Sequence, residues 1–223
     1  MALHIYGPAF STLVRSVRLY CLEKGLAVGS GMSVDGRPVP LHSAEHFALH
    51  PFGQMPVLLH DGNRVFETLA ICRYLDRIFP DSSLEPTDAA TQALVDQWAS
   101  ALITTVDTRL IRRYLLRVAG PRVIEPLNGQ ALVEAEMVVD QTLTVLEREL
   151  GEKGFFCGAR FSLADALLVP MLDYLTRVPN SEWLAGHPTL AAYLQRLRQR
   201  PSGREVLVAP DFAELQRAAQ TSP

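Results

Sequence analysis

The chain has 223 residues, 48% of them hydrophobic, with 24 acidic against 21 basic side chains and a formal net charge of −3. That length and apolar content suit one large or two modest domains with ample core. Charges of nearly balanced sign, interleaved along the chain, exclude a nucleic-acid footprint and point to a small partner.

Residues 3–6 alternate as a first strand, which Gly7-Pro8 breaks. Residues 12–24 carry Val14, Val17 and Cys21 on one stripe, flanked by Leu13 and Tyr20, and Gly25 follows; this predicts a helix closed by a left-handed cap. Leu26, Val28, Met32 and Val34 keep period two as a weaker second strand interrupted by Gly29 and Gly31, which completes a βαβ unit. Residues 35–40 read as a turn-rich break and 41–49 as an irregular helical segment. An apolar run entered through Pro56, turned at Asp61-Gly62 and returned as Arg64-Val65-Phe66 predicts a β-hairpin. It feeds a helix that repeats Ile71, Tyr74, Leu75 and Ile78 and stops at Pro80.

The order βαβ then ββα is that of a thioredoxin-like α/β domain over residues 1–80. A polar linker follows at 81–87. Residues 88–223 hold no convincing strand and read as an all-α helical bundle, with helices over 88–118, 133–150, 162–178 and 188–200. Gly120-Pro121 would stop the first of these, and the Ala-Gln-Thr-Ser-Pro tail is expected to fray. Ser162-Leu163-Ala164-Asp165 is spaced as a capping box with Asp in place of Glu, marking helix nucleation and stability. Pro170 inside that helix is expected to kink it.

Cys21, Cys72 and Cys157 share no CxxC or metal-ligand spacing. The sequence therefore predicts no metal site and reads them as small buried residues in a reducing compartment. Residues 1–6 are too short for a signal peptide, and the longest apolar stretch, 164–172, holds Asp165 and Pro170. With no membrane span in view, the cytoplasm is the expected location.

Chemistry gathers at the two ends of the hairpin. Pro56 cannot donate to a ladder, so it belongs at the first residue of a strand or in a special turn such as a cis Met55-Pro56 bond, which would leave the Met55 backbone facing outward for an extended peptide. At the other end Glu67-Thr68 stands at a helix N-terminus, where free amides favour a carboxylate. Together they suit a short anionic peptide. Ser11 precedes the first helix, which by itself is sufficiently explained as an N-cap. Arg15, one turn on, would add field or make a surface salt bridge. Arg109, Arg112, Arg113 and Arg117 crowd one region at spacings of three and four, as a solvated or dimer-facing surface or as the rim of a substrate pocket.

Four blocks lie in order along almost the whole chain: Gly7-Pro8-Ala9-Phe10-Ser11-Thr12, His50-Pro51-Phe52-Gly53-Gln54-Met55-Pro56, Phe66-Glu67-Thr68 and Ser162-Leu163-Ala164-Asp165. With these the sequence resembles the glutathione transferase family, and its phi-class members closely. The resemblance implies glutathione as co-substrate and no metal. Ser11 would donate its hydroxyl hydrogen to the glutathione sulfur and hold it as thiolate, with Thr12 the competing candidate. Gln54, Met55, Pro56, Glu67 and Thr68 map onto the family's glutathione site: the Met55 backbone to the cysteinyl unit, Glu67 to the α-amine, Thr68 to the γ-glutamyl carboxylate. Leu41-His42 stands where phi-class chains tend to have His-Lys for the glycyl carboxylate, so His42 either donates there or is a solvated loop histidine. The thiolate would attack a small hydrophobic electrophile in a pocket contributed by the helical domain, as a detoxifying conjugation, or reduce organic hydroperoxides. Phe52 would key a homodimer, or else join the chain's own core. The alternative, from another class, is a non-catalytic binding or assembly module of the same fold.

Overall fold

The computed structural model describes residues 3–119, 125–179 and 182–211. Gly120-Pro121 and the final five residues, both singled out in the sequence, lie outside that range. The chain divides into two compact units, one of residues 1–84 with those from Glu205 onward, the other of residues 85–204.

In the first unit β1 (Leu3–Tyr6) is central, because its alternation buries Leu3, Ile5 and Tyr6 on the two sheet faces. It leads to α1 (Thr12–Glu23), which buries Val14, Val17, Tyr20 and Cys21. Arg15 on α1 is 1% exposed and its Nη2 donates to the Val208 carbonyl at 2.8 Å, so it holds the returning C-terminal segment.

The second predicted strand is split. β2 (Val28–Gly31) pairs parallel with β1, and after Met32 comes a separate hairpin, β3 (Ser33–Val34) with β4 (Arg37–Pro38), turned at Asp35-Gly36. Asp-Gly between short extended runs is a two-residue hairpin signal, and here it wins over a plain break. Met32 leaves the ladder to pack with Tyr6, Val39 and Val57. α2 (Ala44–Leu49) follows, capped by Ser43, whose side chain accepts from the His46 amide. The hairpin β5 (Val57–His60) and β6 (Asn63–Phe66) completes a sheet in the order β2-β1-β5-β6, with β5 antiparallel to both neighbours.

α3 (Thr68–Ile78) packs beside α1. Their ends are joined by buried Asp76, which accepts from Tyr20 Oη, from Lys24 Nζ at 2.8 Å and from the Leu84 amide at 3.2 Å. Lys24 also donates to the carbonyls of Phe79 and Ser82. A buried charge is tolerated because each member of this group is paired.

The second unit opens with α4 (Ala89–Ala101), capped by Asp88 through the Thr91 amide at 2.8 Å. The helix continues without a break as a π-helical stretch, Leu102–Leu115, and ends in α5 (Leu116–Val118). One long helix was legible here and its wider winding was not. α6 (Gly129–Leu150) starts four residues before the apolar period does, since Gln130 supports its first turn through Glu134 at 3.0 Å without any apolar face. α7 (Leu163–Leu175) is buried along its whole length and continues through Pro170. α8 (Pro188–Gln199) is followed directly by α9 (Pro201–Val206), which the sequence did not predict; Pro201 ends one helix and opens the next, where a missing N–H costs nothing. The sequence assigned everything from residue 88 to the helical part, whereas Glu205 onward returns to the first unit, with Glu205 3.3 Å from Arg18. Among the described residues no helix is long and apolar enough to cross a membrane.

Candidate functional site

Strand register gathers the predicted residues. Tyr6 pairs with Val57 and Val57 with Phe66, so the end of β1, the start of β5 and the end of β6 meet at one end of the sheet. The chain leaving β1 delivers Ser11 there, the chain entering β5 delivers Met55 and Pro56, and the chain leaving β6 delivers Glu67 and Thr68. Met55-Pro56 is cis, and Met55 precedes the ladder. Gly7, at φ +141°, lets these segments close up: a Cβ there would stand 2.6 Å from Val14 Cγ2 and 3.3 Å from Met55 Cβ.

Ser11 is the N-cap residue of α1, with extended backbone at φ −61° and ψ 131°, yet its hydroxyl makes no cap hydrogen bond. Its main chain does the local work, the amide donating to Pro8 and the carbonyl accepting from Arg15, each at 2.9 Å. The neighbouring hydroxyl of Tyr6 is committed, donating to the Val39 carbonyl at 2.9 Å, and burial pushes it up to about 12. Burial likewise pushes the Cys21 thiol up to about 12 and holds it protonated.

Glu67 and Thr68 are both held in unrelaxed states. Glu67 caps α3 at φ 68°, ψ 122°, a region non-glycine residues rarely enter, with no side-chain cap bond; such strain costs about 1–3 kcal/mol. Its side chain is 58% exposed, with Oε1 3.8 Å from His50 Nε2. Thr68 is 2% exposed, and its Oγ1 is buried with no hydrogen-bond partner among the described residues. A buried hydroxyl left in that state costs about 1–3 kcal/mol. An oxygen acceptor arriving at the α3 N-terminus would meet both this hydroxyl and the free amides of the first turn.

His42 is exposed and stands in a turn at φ 62°, with its ring 6.2 Å from that of Phe47 and 5.9 Å from that of His46. Gly53, at φ +60°, lies under these rings, where a Cβ would come within 2.9 Å of Phe47 and 3.1 Å of His42. Gln54 has an exposed side chain, but its carbonyl is bound to His46 Nε2 at 3.1 Å. His46 also accepts the His42 amide at Nδ1, 3.0 Å away. His50 accepts the Phe52 amide at Nδ1, 3.2 Å away, and its ring stands 4.7 Å from Phe66. The sequence reading missed His46 altogether and treated His50 only as part of a motif; the signal available was three histidines four residues apart at 42, 46 and 50. Phe52 is 74% exposed at the tip of its loop, so it joins no core of its own chain.

Met55, Pro56, Glu67 and Thr68 thus share one end of the sheet, and His46 ties His42 to Gln54. Ser11 follows Gly7, the residue that closes on Met55, and no hydrogen bond joins it to Glu67 or Thr68 among the described residues. In the other unit Arg109, Arg112 and Arg113 are exposed; Arg112 pairs with Asp107 at 2.8 Å and Arg117 donates to the Glu125 carbonyl.

Residues 1–77 match the family model of the glutathione S-transferase N-terminal domain, and residues 88–196 match that of its C-terminal domain. The chain belongs to the glutathione S-transferase family. By that membership it is an enzyme, a glutathione transferase. Glutathione S-transferase F10 of Arabidopsis thaliana is 27% identical over 211 residues, covering 92% of this chain and 96% of the plant protein. A theta-class glutathione S-transferase of Xanthomonas axonopodis pv. citri, solved with glutathione bound, is similar with a TM-score of 0.79 and 25% identity over 94% of this chain and 98% of that one. A glutathione S-transferase of Rhodospirillum rubrum F11 shares the fold with a TM-score of 0.81 at 21% identity, over 94% of each chain. The expected architecture, a thioredoxin-like α/β part and an all-α part, is the one these comparisons and the structure bear out.

Proposed function

We propose that the chain binds glutathione at the β1–β5–β6 end of the sheet and holds its sulfur as a thiolate with the Ser11 hydroxyl, for attack on small hydrophobic electrophiles. The observation that carries this reading is the buried, unpartnered Thr68 Oγ1 beside the strained Glu67. Thr68 and the first α3 amides take the γ-glutamyl carboxylate, Glu67 takes the α-ammonium, and the Met55 backbone before Pro56 pairs with the cysteinyl unit as an added strand. Gln54 borders the same groove, and His42 takes the glycyl end.

A free thiol of this kind ionises near 8.5, so only a few per cent is thiolate at pH 7. Donation from Ser11 and the N-terminal end of α1 favour the anion, and lowering that value by roughly 2 corresponds to about 2.7 kcal/mol. The Ser11 hydroxyl is available for this because it is not spent on capping α1. The thiolate then forms a carbon–sulfur bond, expelling halide from a halogenated nitroarene or adding to the carbon of an isothiocyanate, whose nitrogen takes up a proton. With an organic hydroperoxide it takes the terminal oxygen, releasing the alcohol and a sulfenic acid of glutathione, which a second glutathione converts to the disulfide and water.

The protein works in the cytoplasm as a homodimer keyed by Phe52, since burying that exposed ring contributes on the order of 2 kcal/mol. Sedimentation at twice the chain mass is expected, and a monomer at micromolar concentration contradicts this part. The central test is calorimetric titration with glutathione, followed by turnover on a panel of halogenated nitroarenes, isothiocyanates and organic hydroperoxides. Saturable binding with turnover of at least one of these is the expected result. Binding without turnover would make the chain a binding module, and no binding would end the reading.

A further inference from the structure

His46 is fully buried, and the thiol chemistry has no use for it. Its two ring nitrogens nonetheless have fixed and opposite tasks. The Gln54 carbonyl can only accept, so Nε2 carries the hydrogen across 3.1 Å; the His42 amide can only donate, so Nδ1 keeps its lone pair across 3.0 Å. One neutral tautomer satisfies both bonds. An imidazolium has a hydrogen on each nitrogen and would set two N–H groups against each other at the His42 side. That turn and the Gln54 carbonyl border the proposed glutathione groove at its glycyl and cysteinyl ends, and Gln54 leads directly into Met55.

We infer that His46 is a positioning residue for the glutathione site, whose neutral ring splints the His42 turn to the Gln54 carbonyl, so that protonating it in acid loosens the groove and releases the peptide. The inference rests on the function proposed above.

The surroundings supply no compensation for a charge on this ring. It faces Tyr6 of β1 at 5.0 Å, His42 at 5.9 Å and Phe47 at 6.3 Å between ring centroids, and no ion pair engages it among the described residues. Glu67 stands by His50, with Arg64 also acting on that second ring. Burial holds His46 below its ordinary value of 6.5; the neighbouring His42 acts in the same direction and the bond to Gln54 in the opposite one. The sign follows: a value depressed by folding means that the splint is complete above about 6.5 and is lost as the pH falls through the lower folded value. His50 holds the Phe52 amide on Nδ1 in the same manner, so it would add to an acid limb and must be separated from His46 by experiment.

S-methylglutathione is a suitable probe, because it has no thiol to titrate. Its dissociation constant is measured from pH 5.0 to 8.0 for the native chain, for His46→Gln, whose amide replaces the Nε2 donor without titrating, and for His60→Gln, a histidine outside the groove. The native chain and His60→Gln are expected to lose at least about tenfold in affinity between pH 7.5 and 5.0. His46→Gln is expected to bind within a few-fold of native at pH 7.5 and to vary less than about threefold over the range. An acid limb in His46→Gln as steep as in the native chain overturns the inference while leaving the function standing. Failure of the native chain to bind at pH 7.5 overturns both. Nitrogen shifts of the His46 ring give a reading that needs no variant: Nδ1 bare and Nε2 protonated at pH 7.5, both protonated only where binding has fallen. A doubly protonated ring with undiminished affinity contradicts the inference.

Discussion

Asp165 and Thr68 are both buried polar residues within the first turn of a helix, and they are treated in opposite ways. The Asp165 carboxylate is 0% exposed and accepts four hydrogen bonds, from the Phe156 amide at 2.8 Å, Tyr193 Oη at 2.7 Å, the Ser162 amide at 2.8 Å and Ser162 Oγ at 2.9 Å. Thr68 Oγ1 has none among the described residues, and its neighbour Glu67 keeps a strained backbone and an exposed carboxylate. Folding alone would favour the first arrangement everywhere, since buried polar groups without partners cost free energy. The second arrangement is the one that the proposed function assigns to an arriving ligand.

The largest effect expected from breaking this contrast is at the satisfied end. Asp165→Ala strands four donors, and denaturant unfolding is expected to register a loss of about 3–5 kcal/mol; a loss under about 1 kcal/mol would mean that the carboxylate is not what ties these segments together. At the unsatisfied end the cost falls on ligand. Glu67→Ala is expected to weaken glutathione binding about ten- to hundredfold in calorimetry while folding stability changes by no more than about 0.5 kcal/mol, because α3 rests on Ile71, Cys72 and Leu75. Equal affinities would refute its assignment. Ser11→Ala keeps the fold and most of the affinity, lowers turnover at least about tenfold and moves the rate profile to higher pH. Thr12→Ala is the control and should do little; if the two exchange effects, the hydroxyl assignment moves by one residue.

Much of this was legible in the sequence because period and punctuation agreed. The hairpin at Asp61-Gly62, the stripe of α1 and the Ser162–Asp165 cap each stated their structure locally. What escaped depended on partners distant in sequence. The hold of Arg15 on the Val208 carbonyl went unread beside added field and a surface salt bridge, because Val208 is 193 residues away. His46 read as nothing in particular because its meaning lies in Gln54, reached only when the following loop folds back. α9 was hidden by Pro201, which serves as both stop and start. The π winding of Leu102–Leu115 leaves no mark on an apolar period already long enough for one helix. The strain at Glu67 could not be read from residue type, since glutamate carries no signal for a positive φ.

The central claim is that the Thr68 hydroxyl is left unpaired for a ligand, and Thr68→Val tests it most directly, because valine keeps the branched shape and removes only the hydroxyl. Thermal or denaturant unfolding and glutathione titration on the same preparation give the answer. The account predicts a variant as stable as the native chain, or more stable by about 1–2 kcal/mol, that binds glutathione at least about tenfold more weakly. A variant that loses stability while binding glutathione as well as the native chain would contradict it.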